Sequence, residues 1–387
     1  MSTLQSWSQA SKIRLLSRFE GIDLVLLVTV LILLSVGLIM VYSASYIFAA
    51  ERTGDGYYFI KRQLGFSVLG LTFLAFFSMF DFRRLNWLGY PLVILSTILL
   101  LIVLIPGVGT KVGGAQRWFR IGSLGFQPGE IFKLSVIFFM ATRMSRKFDR
   151  VSSFVAGTLG NLVVLLPGIL LLLIQPDLGS TIITVAVVLS LMTVSNVPLR
   201  YLMGLILVGS ITFAGLIMST PYRLARFTAF LDPWEDPMGS GFQVLQSLVG
   251  LTNGGTFGVG LGNGKEKLFF LPESHNDFIF AVIGEELGFS GVALIILLFS
   301  VVLFRGFKIS KSLLIKREMF SALLSIGVTV LILSQAFTNM AVVLGLLPTK
   351  GLNLPFLSYG GTSLVVNLAA IGVLLSLSRY CNNESIS

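Results

Sequence analysis

Asp277 ends the polar stretch Leu271-Pro272-Glu273-Ser274-His275-Asn276 and immediately precedes a long apolar run that starts at Phe278. A carboxylate at the mouth of a membrane helix can simply complement the positive end of the helix dipole. It can also be a general base, because low-dielectric surroundings raise its pKa toward neutrality and let it take a proton from a hydroxyl. Both readings stay open on position alone. Further along the same run, Gly284-Glu285-Glu286-Leu287-Gly288 places two carboxylates about two turns deeper, where ionisable groups are costly unless paired or lining a polar cavity. These are read as an internal network that holds helices together. Glu130 and Lys133 are three residues apart behind Pro128, on one face of a predicted helix. Lys133 either neutralises Glu130 or has a ligand-binding role besides. Arg117 next to Trp118 suits headgroup anchoring or contact with an anionic ligand.

Other patterns exclude chemistry. Cys381 is the only cysteine and His275 the only histidine, so disulfide frameworks and Cys/His zinc sites are ruled out. The glycine-rich run 254–264 fits no phosphate-binding loop in register, and its glycines are read as turn formers. The net charge of +10 is scattered in small groups between apolar runs, which argues for membrane topology and against nucleic acid.

The elements that must position these residues are membrane helices. Of the 387 residues, 55% are hydrophobic and 12% charged, and the mean hydropathy is +0.89, a composition that requires lipid as the main solvent. Runs of about 20 apolar residues, the length that spans a bilayer, lie at 21–46, 60–80, 85–106, 127–144, 153–174, 178–196, 198–219, 277–305, 320–346 and 361–379. The first is too long for a cleavable signal core. The expected fold is therefore all-α, a polytopic membrane protein of about ten helices, with 21–379 a single transmembrane domain between short tails at 1–20 and 380–387. One set of loops concentrates Lys and Arg, including Arg83, Arg84, Arg143, Arg146, Lys147, Arg150, Lys308 and Lys311, and is predicted to be cytoplasmic together with both termini. The large loop 221–276, between helices 7 and 8, is predicted to be extracytoplasmic and to hold structure of its own.

Several ordered motifs carry a resemblance. Val41-Tyr42-Ser43-Ala44-Ser45, Gly114-Ala115-Gln116-Arg117-Trp118, Phe126-Gln127-Pro128, Gln175-Pro176-Asp177-Leu178-Gly179, Leu231-Asp232-Pro233, the 271–277 stretch, Gly284 to Gly288 and Ser358-Tyr359-Gly360-Gly361 together resemble the SEDS family, for shape, elongation, division and sporulation. Leu347-Pro348-Thr349-Lys350-Gly351 looks more like its division branch than its elongation branch. Two positions depart from the family pattern, Gly129 and Thr362, each where a serine is usual. The resemblance implies a peptidoglycan glycosyltransferase that polymerises lipid II at the outer face of a bacterial plasma membrane, at the division septum. A class B penicillin-binding protein and other division-complex proteins would be its partners, and undecaprenyl-pyrophosphate-linked glycan the donor. It also implies a divalent cation, Mg or Mn, with no organic cofactor.

The family's essential carboxylate maps onto Asp277, as base or metal ligand. Candidates for holding the substrate are Arg117, Lys133, Arg223, Lys350 and Ser358, while Glu130, Asp177, His275, Glu285 and Glu286 are expected to support them. A lipid II flippase, or a non-catalytic scaffold of the division complex, fits the same intramembrane charges and broken helices.

Overall fold

The structure is a computed structural model and describes residues 21–112, 114–121, 124–219, 221–349 and 351–382. Helices dominate it, and their bounds follow the apolar runs closely. The first is α1 (Leu24–Thr53), started by Asp23, whose carboxylate accepts the Leu26 N–H at 3.0 Å, and ended by Gly54 in the left-handed region. Then come α2 (Tyr58–Ser78), α3 (Gly89–Ile102), α4 (Pro128–Arg146), α5 (Gly160–Ile174, entered through a π-helical turn), α6 (Leu178–Val194) and α7 (Leu199–Met218). The 221–276 segment carries α8 (Pro221–Leu231) and α9 (Phe242–Gly254), and the chain finishes with α10 (Ile279–Ile315), α11 (Met319–Val343) and α12 (Gly361–Asn382).

Seven of the described helices are long and apolar enough to cross a membrane, which makes the protein multi-pass. The other three predicted runs coincide with the shorter apolar helices α3 and α6 and with α4, whose Glu130, Lys133, Arg143 and Arg146 lower its hydropathy. The bundle centre is α11 and α12, with 78% and 94% of their apolar windows buried, against 11% for α7 at the periphery. Such a gradient separates helices that face protein from helices that face lipid.

Two local features interrupt the helical architecture. Between α3 and α4 an antiparallel three-stranded sheet forms from β1 (Thr110–Val112), β2 (Ala115–Ile121) and β3 (Leu124–Phe126) in that spatial order. Its strands are too short for a hydropathy window to detect. Second, α10 is broken at Gly288, whose φ of 67° and ψ of −164° no helix contains. The amides of Val259 and Gly260 fill the break by donating to the carbonyls of Glu285 (3.0 Å) and Glu286 (3.1 Å). A Cβ on Gly258 would collide with the backbone at 286–288, so the glycine-rich run is there for close approach to the broken helix. Glu285 and Glu286 consequently pack under the 254–266 loop, where the sequence had suggested two turns further into a continuous span.

The predicted sidedness has a direct test. In a Cys381→Ser background, Met238→Cys and Lys265→Cys, both on exposed residues of the large loop, are expected to react with an impermeant maleimide on intact spheroplasts. Lys311→Cys, also exposed, should react only after permeabilisation. The reverse pattern would invert the topology.

Candidate functional site

A cleft of about 910 Å³ opens at the end of the bundle that bears the sheet and the large loop. Its wall is built by α2 with Tyr58 and Arg62, the sheet with Arg117 and Arg120, the start of α4 with Gln127 and Glu130, the turn at Asp177, and the 273–277 and 348–361 segments. Phe213 and Ile217 of α7 and Phe227 of α8 give it an apolar flank, and Gln335 reaches it from α11.

Four carboxylates line the cleft, and their surroundings differ. Glu130 is bound to Lys133 (Nζ to Oε1 2.9 Å). Asp177 caps α6, accepting from the Ser180 N–H (3.1 Å), the Ser180 hydroxyl (2.9 Å) and the Gln127 amide (3.2 Å). Glu273 is exposed, with its backbone in the left-handed region at φ 56°. Asp277 is half-buried, and among the described residues none donates a hydrogen bond to its carboxylate. Burial, and next the nearby Glu273 carboxylate, push its pKa up to about 7, while Arg226 and Arg117 pull the other way. Its main chain is fixed, because the buried Asn339 of α11 donates through Nδ2 to both Asp277 O (2.8 Å) and Leu352 O (2.6 Å). Gly351 stands opposite, and a Cβ there would come 3.3 Å from Asp277 Oδ2, so glycine leaves the carboxylate its space.

The cations come from several elements. Arg117 donates to Gln175 O (2.8 Å) and Pro176 O (2.7 Å), which clamps β2 onto the 175–177 turn with donors to spare on its five-donor guanidinium. Arg226 of α8 reaches Thr349 O at 3.4 Å, joining the large loop to the 348–361 segment. Arg62 lies 4.2 Å from the Tyr58 ring centroid. Of the other predicted site residues, Lys350 and the side chain of Arg223 lie outside the described residues.

Lys133 and Ser358 are not on the cleft wall. Lys133 is 1% exposed behind Glu130, and the Ser358 hydroxyl accepts from Leu354 N at 2.7 Å to lock the 354–358 turn. His275 is wedged against Phe59 and Phe48, with ring centroids 4.5 and 5.4 Å away, and its carbonyl accepts from Tyr359 N. Burial holds its pKa low, so it is a neutral packing residue behind the cleft. Glu285 accepts from the Lys265 and Glu266 amides (2.7 and 3.2 Å). Glu286 pairs with Lys267 at 2.6 Å and accepts from the Ser43 hydroxyl. Neither glutamate reaches the cleft.

Sequence reasoning missed Arg62, Arg226, Asn276, Gln335 and Asn339. For the last two a signal existed, since amides four residues apart inside an otherwise apolar helix share a face and are expensive toward lipid. The arginines gave none, because only tertiary packing brings them to the cleft.

Known proteins match this chain along nearly its whole length. The family profile described as cell cycle protein, FtsW/RodA/SpoVE, matches residues 23–383. Stage V sporulation protein E of Bacillus subtilis is 42% identical over 358 residues, 92% of this chain and 97% of that protein. A probable peptidoglycan glycosyltransferase FtsW of Trichlorobacter lovleyi is 44% identical over 361 residues, 93% and 94% of the two chains. Among solved structures, a chain of a peptidoglycan synthase complex described as coordinating polymerization and crosslinking superposes with a TM-score of 0.76 at 30% identity, covering 93% of this chain and 98% of its own. The rod shape determining protein RodA of Thermus thermophilus follows with a TM-score of 0.68 at 28% identity, over 92% and 97%. The chain belongs to the FtsW/RodA/SpoVE family of cell cycle proteins.

Proposed function

We propose that this protein is a peptidoglycan glycosyltransferase that joins lipid II units into glycan strands at the outer face of the plasma membrane during division, with Asp277 as its base. The observation that carries this reading is the state of Asp277, a carboxylate with a pKa near 7 and no hydrogen-bond donor among the described residues, held by Asn339 on the wall of an arginine-lined cleft. In the reaction, an acceptor sugar hydroxyl attacks the anomeric carbon of a glycan attached to undecaprenyl pyrophosphate. The bond from that carbon to the pyrophosphate oxygen breaks and takes its electron pair with it, while the hydroxyl proton passes to Asp277. A pyrophosphate leaving group needs charge stabilisation more than protonation, so guanidinium groups can serve where glycoside hydrolysis uses a second carboxyl. Arg117 and Arg226 supply positive charge beside Asp277, and the apolar flank of Phe213, Ile217 and Phe227 suits a lipid-borne substrate.

A divalent cation fits the donor set. Asp277 and Glu273 are carboxylates on one short segment, and among the described residues the buried Oδ1 of Asn276, between them in sequence, has no hydrogen-bond partner. All are hard oxygen donors of the kind Mg or Mn takes together with substrate phosphates. Bound there, the ion would neutralise pyrophosphate charge. A class B penicillin-binding protein is the proposed partner, in line with the synthase complex that contains a similar chain.

The test is purified protein in liposomes with labelled lipid II. Glycan polymer is expected, with kcat/KM falling on the acid side because only ionised Asp277 can accept the proton; a divalent cation bound beside it moves that fall below the pH of about 7 that burial alone sets. Translocation without polymer would replace this reading by a flippase, and neither activity would leave a scaffold.

A further inference from the structure

The wall of the cleft contains a buried amide. Gln335 of α11 is 2% exposed and lines the cleft, yet among the described residues its Oε1 has no hydrogen-bond partner. An unpaired buried amide opposes folding, and Leu or Met at this position would be cheaper. Its neighbours along the same helix, Leu331, Ile332 and Ala336, are buried and apolar, so their side chains offer the amide no hydrogen-bond partner. One turn further along the same face, Asn339 performs the structural task of tying Asp277 to Leu352. Gln335 therefore sits about 6 Å along the helix axis from that anchor, on the cleft side of α11.

We infer that Gln335 is a substrate-positioning residue whose side-chain amide hydrogen-bonds to a polar group of the uncharged sugar portion of the lipid-linked substrate. This rests on the glycosyltransferase reading, with the charged parts of the substrate assigned to other groups. Arg117 and Arg226 face anions, Asp277 faces the reacting hydroxyl, and a neutral amide remains for a neutral polar group. The acetamido group and free hydroxyls of an N-acetylated sugar are of that kind. A site with a committed buried amide selects strongly for ligands that satisfy it.

The experiment compares wild type with Gln335→Met and Gln335→Leu in nanodiscs, reading three quantities: thermal midpoint, Kd for fluorescent lipid II, and polymerisation KM and kcat. The Tm of both variants is expected to equal or exceed that of wild type, because no hydrogen bond within the protein is lost. Kd and KM should rise roughly 3- to 10-fold, the value of one neutral hydrogen bond, with kcat changed by less than about twofold. Unaltered Kd and KM beside an active wild type overturn the assignment while leaving the glycosyltransferase reading intact. A Tm drop of several degrees in both variants also overturns it, by giving the amide a structural partner. Wild type that neither binds nor polymerises lipid II removes the parent reading, and the inference falls with it.

Discussion

Asp277→Asn is expected to fold, insert and bind its partner while losing polymerisation by 10²- to 10⁴-fold, the range that general-base assistance supplies. Asparagine is nearly isosteric and keeps the main-chain carbonyl that Asn339 holds. Its amide, however, can neither accept the acceptor proton nor offer a full negative charge to a cation. The alternative role of Asp277, as complement to the start of α10, makes the opposite prediction, because asparagine also serves at helix N-termini. Stability separates the two again. A carboxyl whose folded pKa is raised to about 7 binds its proton more tightly folded than unfolded, so its contribution declines as pH rises from the ordinary carboxylate range through 7. Removing the charge should therefore raise Tm more at pH 8 than at pH 5. Wild-type polymer yield from folded Asp277→Asn would take this residue out of the chemistry.

Helix positions were legible because lipid imposes a length and a composition on every span. The runs at 60–80, 178–196 and 198–219 coincide within two residues with α2, α6 and α7. What hydropathy could not register was anything shorter than its window. The 110–126 sheet pairs Arg120 with Gly125 and Phe119 with Phe126 in strands of three to seven residues. The break at Gly288 depends on which amides approach the freed carbonyls, and those come from Val259 and Gly260, about 25 residues upstream.

The site was legible in part for the same reason. Polar residues inside apolar runs stand out, and so Asp277 and Glu130 could be picked from their flanks, while Asp177 came with a family motif, and all three line the cleft. Arg226 gave no such sign, since it lies on a surface-type helix in a long loop and meets Thr349 only through the fold. Lys133 and Ser358 show the converse. Their motifs identify them as important without saying whether they face ligand or protein, and buried Lys133 has Glu130 at 2.9 Å while Ser358 caps a turn. Spacing reports which face of an element a residue shares, but not what that face packs against.

The second large effect belongs to the pair under the glycine-rich loop. Lys267 and Glu286 are 4% and 0% exposed with N to O of 2.6 Å, and Ser43 of α1 accepts from Lys267 (3.0 Å) while donating to both carboxylate oxygens of Glu286. The three groups join α1, α10 and the 265–270 turn, giving the Val41–Ser45 and Gly284–Gly288 motifs one common purpose. Lys267→Met leaves a buried carboxylate facing a hydroxyl alone, which costs about 3–5 kcal/mol for a broken buried pair. The double variant Lys267→Met with Glu286→Gln removes both charges and retains a hydrogen-bonding amide for Ser43. It should recover most of that loss, a coupling well above the few tenths seen between independent sites. Thermal midpoints in detergent, with protease sensitivity of the 254–266 loop as a local readout, measure it. Because neither residue reaches the cleft, polymerisation per folded molecule should remain near wild type in the double variant. Additive losses from the two single changes would mean that the charges act independently and that the pair does not hold the loop.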